Sequence, residues 1–160
     1  MAEFAGRRVI REYLQTNDAA PEKLFPLLCP VREAEWVPGW EYRLIFSRSG
    51  IAELGCVFST PNEDGSETTW ITIEYEPPRG VGFVWVWPGM VTARLRFDLE
   101  AADGKTRLRA RYEYTGLSEK GNAEVERYSE KWFAEKMKKF EAALNHYLAT
   151  GRMIAAGAWE

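Results

Sequence analysis

Long apolar runs, histidine and cysteine are what this sequence has least of, and each scarcity removes a class of function. No stretch approaches the ~20 consecutive apolar residues that a bilayer-crossing helix needs, and the opening Met-Ala-Glu-Phe-Ala-Gly-Arg-Arg has no apolar signal core. Neither a membrane span nor a secretory leader is expected. The single histidine, His146, and the two cysteines, Cys29 and Cys56, cannot assemble a zinc set, and the cysteines lack CxxC spacing. Both sit in apolar contexts, Leu-Leu-Cys-Pro and Gly-Cys-Val-Phe, which reads as buried free thiols in a reducing compartment and places the chain in the cytoplasm. A Ser-His-Asp or Cys-His arrangement would have to recruit the same histidine, and no GxSxG turn poises a nucleophile. Phosphate-cradling GxGxxG and GxxxxGK[ST] motifs are missing too, Gly80-Val81-Gly82 reading as a turn into a strand, so no cofactor is expected.

Charge excludes another partner. The formal net charge is −3 and the arginines are scattered along the chain, so a nucleic-acid backbone is not expected as a partner. Arg107, Arg109 and Arg111 recur at every second residue, as do Arg94 and Arg96, the period of one solvated face of a strand.

The chain is rich in rings. At 160 residues it fits one domain, and 14 % of it is aromatic, more than a core of this size requires and well suited to lining a cavity.

Hydrophobic periodicity gives the order of elements. Residues 8–15 read as a strand, and Thr16-Asn17-Asp18 supplies turn and cap chemistry before a short helix over 20–29, with Pro21 in its first turn and Pro30 closing it. Residues 31–40 hold a second short helix or loop with a Pro-Gly stop. Period-2 segments follow at 40–48, 53–60, 68–76, 81–87, 91–100 and 106–116, joined by short turn-rich separators that predict an antiparallel meander. One long helix is expected from Ser118 to about Thr150, with Gly151 as its stop and residues 152–160 as a loosely ordered tail outside a domain of residues 1–151. The fold class is therefore α+β: a curved antiparallel sheet of about seven strands wrapped around a long C-terminal helix, with two short helices after the first strand.

That order, with the segments Ala-Pro-Glu-Lys-Leu-Phe-Pro-Leu-Leu (20–28), Trp36-Val-Pro-Gly-Trp40, the 70–77 strand ending Tyr-Glu-Pro, and Thr115-Gly-Leu-Ser-Glu-Lys-Gly-Asn122, resembles the START-like superfamily, also called Bet v 1-like or SRPBCC. The chain looks like a bacterial branch of it. The resemblance covers roughly residues 7–150 and implies a helix-grip fold with a cavity between the sheet and the long helix. Members bind lipids, sterols, flavonoids, hormones and polyketides, cyclise polyketides, or serve as Hsp90 co-chaperone domains, so the fold alone names no function.

Candidate site residues follow from this geometry. Tyr112 and Tyr114 lie on the apolar face of the last strand, where a hydroxyl could orient a ligand while the ring provides wall. Tyr128, Trp132, Phe133, Met137 and Phe140 occupy the helix's sheet-facing stripe, and Trp36, Trp40, Tyr42, Trp70, Phe83, Trp85 and Trp87 are expected as wall or rim. Carboxylates are the candidates for acid–base work: Glu33 and Glu35 before Trp36, and Glu74 and Glu76 on one strand face. Glu74 points inward if Trp70 and Thr72 do, whereas the opposite register turns Ile71, Ile73 and Tyr75 in. The expected role is binding of a hydrophobic or amphipathic small molecule. The alternatives are a polyketide cyclase- or dehydratase-like enzyme with a cavity acid/base, and a co-chaperone-like domain presenting an apolar patch near Trp36 or Trp40.

Overall fold

The computed structural model describes residues 3–159. Its strands are β1 (Arg8–Asn17), β2 (Arg43–Phe46), β3 (Val57–Pro61), β4 (Glu67–Glu76), β5 (Gly80–Trp87), β6 (Val91–Ala102) and β7 (Lys105–Gly116). Between β1 and β2 lie α1 (Pro21–Leu24), a 3-10 turn (Phe25–Leu27) and α2 (Pro30–Glu33). After β7 come α3 (Glu119–Glu126), α4 (Glu130–Thr150) and α5 (Ala156–Trp159). The strands form one antiparallel sheet in the order β1-β7-β6-β5-β4-β3-β2, a meander closed at one edge by the first strand.

Alternation builds the middle of the sheet. In β7, Leu108, Ala110, Tyr112 and Tyr114 are buried while Arg107, Arg109 and Arg111 face water. Asp103 and Gly104, both at positive φ, make the two-residue turn between β6 and β7, the left-handed pair that matches the twist of the strands. Buried residues of α4, including Phe133, Met137 and Leu144, join this inner face in one core.

Four local features between β1 and the end of α4 depart from the expected pattern. The helix expected as continuous over 118–150 is two, because a second capping serine interrupts it. Ser118 Oγ accepts from the Gly121 N–H at 3.0 Å, and Ser129 Oγ accepts from the Trp132 N–H at 3.1 Å, so α4 starts afresh. The break turns Tyr128 inward, its backbone carbonyl accepting from Arg11 Nε at 2.8 Å. The helix expected over 20–29 is instead a four-residue turn followed by the 3-10 turn, since Pro26 lacks the N–H that an α-helix needs there.

In β1 the apolar residues Ile10 and Leu14 are exposed while Gln15 and Asn17 are buried, because the C-terminal part of the strand's inward face meets polar groups of α4. Tyr13 donates to Glu141, and Asn17 to Asn145. The last departure is a β-bulge. Thr72 pairs with Phe83 but Glu74 pairs with Gly82, so Ile73 is an extra residue and parity reverses across it. Trp70 and Thr72 face inward before the bulge, and Tyr75 faces inward after it, packing edge-on against Phe25 at 5.5 Å.

Past the long helix, Ile154 and Trp159 pack against the core, Trp159 edge-on to Phe140 at 5.5 Å, so the segment expected as a loose tail is docked through its described residues.

Candidate functional site

The interior between the sheet and α4 is divided. Toward α3 it is solid. Tyr128 stacks on Trp132 at 4.5 Å and tilts against Tyr114 at 4.7 Å, with Phe133 and Trp85 completing the cluster. Toward α2 it opens into a cavity of about 70 Å³, walled chiefly by Trp36, Trp40, Phe58, Trp70, Phe83, Phe97, Tyr112, Met137 and Phe140. That volume admits a few water-sized groups or one compact molecule, well short of the several hundred Å³ of drug-sized pockets.

The indoles present carbon to this space. Trp36 Nε1 donates to the Leu27 carbonyl at 3.0 Å, Trp40 Nε1 to the Pro30 carbonyl at 2.8 Å, and Trp70 Nε1 to Thr60 Oγ1 at 3.0 Å. With every one of these N–H groups satisfied elsewhere, the rings form apolar wall.

Three polar side chains line the same cavity: Gln15, Glu33 and Tyr112. Glu33, at the end of α2, forms no ion pair or side-chain hydrogen bond among the described residues, and burial pushes its carboxyl up to about 8. The adjacent cation does not relieve it, because Arg32 is paired with Glu35, which also accepts from the Tyr147 hydroxyl at 2.8 Å. Burial, and secondarily the nearby Glu33 charge, raise the Tyr112 hydroxyl well above its usual range, so it stays protonated. Lys136 lies 5.3 Å from the centroids of both the Tyr112 and Trp132 rings, and burial lowers its ammonium to about 8.

Gln15 ends a chain of amides. Its Nε2 donates to Asn17 Oδ1 at 2.7 Å, and Asn17 Nδ2 donates to Asn145 Oδ1 at 3.0 Å. Asn145 Oδ1 also accepts from the Asp18 backbone N–H at 3.0 Å, and its Nδ2 donates to the Thr16 carbonyl at 3.1 Å. Gln15 Oε1 is left buried without a hydrogen-bond partner in the protein.

Of the candidates named from sequence, Trp36, Trp40, Trp70, Phe83, Tyr112, Met137 and Phe140 line the cavity. Trp85, Tyr114, Tyr128, Trp132 and Phe133 are placed in the packed cluster instead, because the helix break swings Tyr128 and Trp132 over Tyr114. Tyr42 and Trp87 are half-buried outside the cavity. Glu74 must be corrected: the bulge turns it to the outer face, where its carboxylate meets Arg96 at 2.7 Å. Gly80 and Gly82 make that possible, since a Cβ on Gly80 would lie 2.2 Å from the Arg96 guanidinium and one on Gly82 would lie 2.9 Å from Glu74 Oε1. Glu76 joins the same outer cluster, and Glu35 is held by Arg32.

Gln15 escaped sequence reasoning, although its place two residues from Tyr13 and Asn17 on an inward strand face is the signal that could have found it. Phe58 and Phe97 were legible as inward positions of their strands but not singled out.

This is a helix-grip fold, the arrangement that the sequence's resemblance to START-like, or Bet v 1-like, proteins implies. Solved structures share it at low identity. A Thalictrum norcoclaurine synthase point mutant in complex with a transition-state analogue superposes with a TM-score of 0.66 at 10 % identity, over 93 % of this chain and 99 % of that one. Ara h 8.0201 gives 0.62 at 13 % identity, over 90 % and 99 %. DynU16, from the dynemicin biosynthetic locus, gives 0.60 at 18 % identity over 89 % of this chain, which spans only 48 % of DynU16. No protein-family model and no curated protein matches the sequence. Among the described residues, no helix is long and apolar enough to cross a membrane, and no cluster of side chains could hold a metal ion.

Proposed function

We propose that the chain captures a compact, largely apolar molecule in the cavity between its sheet and α4, contacting the ring walls and placing one polar group against Glu33, Gln15 and Tyr112. The observation that carries this reading is the cavity's make-up. Indoles with satisfied N–H groups supply apolar wall, and a desolvated carboxyl without a partner supplies one point of recognition. The likeness to ligand-handling relatives agrees with it, one being solved with a bound transition-state analogue. The size of the cavity favours a ligand smaller than a sterol or a long polyketide.

A second reading is acid–base chemistry of the cyclase or dehydratase sort. What favours it is Glu33, which at about 8 can lend or take a proton near neutral pH beside the neutral Tyr112 hydroxyl. The co-chaperone-like alternative would need an exposed apolar patch near Trp36 or Trp40. Trp36 is 2 % exposed on the cavity wall and offers no surface to a partner, while Trp40 is half-buried.

Native mass spectrometry of the purified protein, with tryptophan fluorescence during titration by small aromatic and aliphatic compounds, tests the binding reading. Saturable quenching or a shift of Trp emission, lost when the cavity is filled by Met137→Trp, is the expected result. Emission unchanged across the whole set, with no retained ligand, counts against it.

A further inference from the structure

The amide chain that ends in Gln15 gives the cavity a polarity that its rings alone would not, and the direction of that chain can be worked out atom by atom. The oxygen and nitrogen of an amide side chain are ordinarily a matter of assignment. Here two backbone groups decide. The Asp18 N–H can only donate, so the Asn145 atom it meets at 3.0 Å is the oxygen. The Thr16 carbonyl can only accept, so the Asn145 atom 3.1 Å from it is the nitrogen.

The rest follows in sequence. Asn17 meets the same Asn145 oxygen and must present its Nδ2, which turns its own Oδ1 toward Gln15. Gln15 must answer with Nε2, and what remains is Oε1, an acceptor in a residue only 3 % exposed. Rotating the Gln15 amide would oppose two oxygens at Asn17, so the acceptor cannot be exchanged for a donor.

The second polar group points to the same chemistry. Glu33 holds a proton that a stronger base can take, which leaves two acceptor oxygens, and its neighbour Arg32 is committed to Glu35. The walls add the rings of Trp36, Trp40 and Trp70, electron-rich groups that attract positive charge. The Tyr112 hydroxyl can donate or accept and therefore imposes no preference. One fixed acceptor, one carboxyl that a base can deprotonate and electron-rich rings line a small space, and the chemical complement of that set is an amine, bound as a cation bearing N–H groups.

We infer that this cavity selects a compact organic ammonium ion, a primary or secondary amine on a small apolar body, with its N–H groups shared between the Glu33 carboxylate and Gln15 Oε1 and its charge among the indole rings. The inference rests on the binding reading above and narrows its ligand class. Protons balance without a further reactant: a neutral amine entering the cavity takes the proton held by Glu33, and an ammonium ion entering releases that proton to water, and either route leaves the same ion pair.

The test is calorimetric titration of the wild-type protein with four probes of nearly one shape: benzylamine, benzyl alcohol, toluene and benzoate. Benzylamine is expected to bind about tenfold or more tighter than benzyl alcohol, with benzoate weakest, as a charge-assisted pair in an apolar site requires. In Glu33→Gln that preference should vanish, benzylamine losing about tenfold more affinity than benzyl alcohol. In Gln15→Met benzylamine should weaken severalfold. If benzyl alcohol or toluene binds wild type as well as benzylamine does, the ammonium inference is overturned and small-molecule capture stands. If none of the four binds, both fail. A benzylamine preference that survives in Glu33→Gln refutes the role given to Glu33. The wild-type comparison needs no variant to fold.

Discussion

Glu33→Gln should make the protein more stable at alkaline pH and leave it nearly unchanged at acid pH. In the unfolded chain the carboxyl titrates near its ordinary value of about 4.3. In the fold it titrates at about 8. Between those values the native state holds a proton that the unfolded state has released, so wild-type stability falls as pH rises, by 1.36 kcal/mol for each pH unit. Summed over the interval, the ceiling is roughly 5 kcal/mol. Glu33 keeps partial access to solvent, and an ionised carboxylate would draw water toward it, so about 2–3 kcal/mol is the expected size. Below the unfolded pKa both states are protonated and the difference vanishes, and above about 8 both are ionised and it levels off. Glutamine has the same shape and no proton to lose, so subtracting its curve from that of wild type isolates this one group. Urea denaturation of both proteins at half-unit steps from pH 4.5 to 9 reads the effect directly. With a slope of about 2 kcal/mol/M, the variant's midpoint should move ahead by about 1 M between pH 5 and 8.5. A difference curve that stays flat over that range, or that favours wild type as pH rises, would refute the placement of this carboxyl in an apolar site.

Other substitutions probe the frame around the cavity. Gly121→Ala would set a Cβ 1.7 Å from the Met90 carbonyl oxygen, so α3 must lift from the β5–β6 turn, a cost of about 1–3 kcal/mol visible as a lower melting temperature. Ser129→Ala removes the cap of α4 and should cost about 1 kcal/mol in the urea midpoint, with Ser129→Asp largely restoring it. Met137→Ala, at a site 3 % exposed on the cavity wall, should cost about 2–5 kcal/mol and admit larger hydrophobic probes in a fluorescence titration. Asn145→Leu strips the partners from the Asp18 N–H, the Thr16 carbonyl and Asn17 together, and amide exchange at Asp18 should speed up along with a loss of about 2–4 kcal/mol.

The parts of the fold that repeat were readable, and the parts that break a repeat were not. The strands β6 and β7 announce themselves because each buries one face and wets the other for ten residues or more, and Asp-Gly allows a single kind of turn between them. The division of the C-terminal helix was hidden because Tyr128, Trp132 and Phe133 keep helical spacing through the break, and Ser129 looks as harmless inside a helix as at its start. The bulge in β4 was hidden for a related reason. Ile71, Ile73 and Tyr75 on one side and Trp70, Thr72 and Glu74 on the other are both plausible inward sets, and the strand uses half of each. Aromatic positions named from sequence on β4, β5, β7 and α4 line the cavity in part because rings at inward positions must go somewhere, but whether rings meet a space or one another depends on helix placement that local pattern does not carry. Gln15 shows the limit most plainly: its burial depends on Asn145, 130 positions away along the chain, and only the fold brings the two amides onto one path.

Ile73 is an unusual kind of position. Its side chain is 37 % exposed on the outer face and touches little that a valine, threonine or lysine would not serve equally well. Its presence as a link in the chain is another matter, since it alone separates the half of β4 that turns Trp70 inward from the half that turns Tyr75 inward and Glu74 toward Arg96. Deleting it would drive a carboxylate into the core or expel a tyrosine from it. The strand should therefore accept nearly any replacement there and tolerate no change in length, a site where lineages would drift freely in identity while keeping the count of residues fixed.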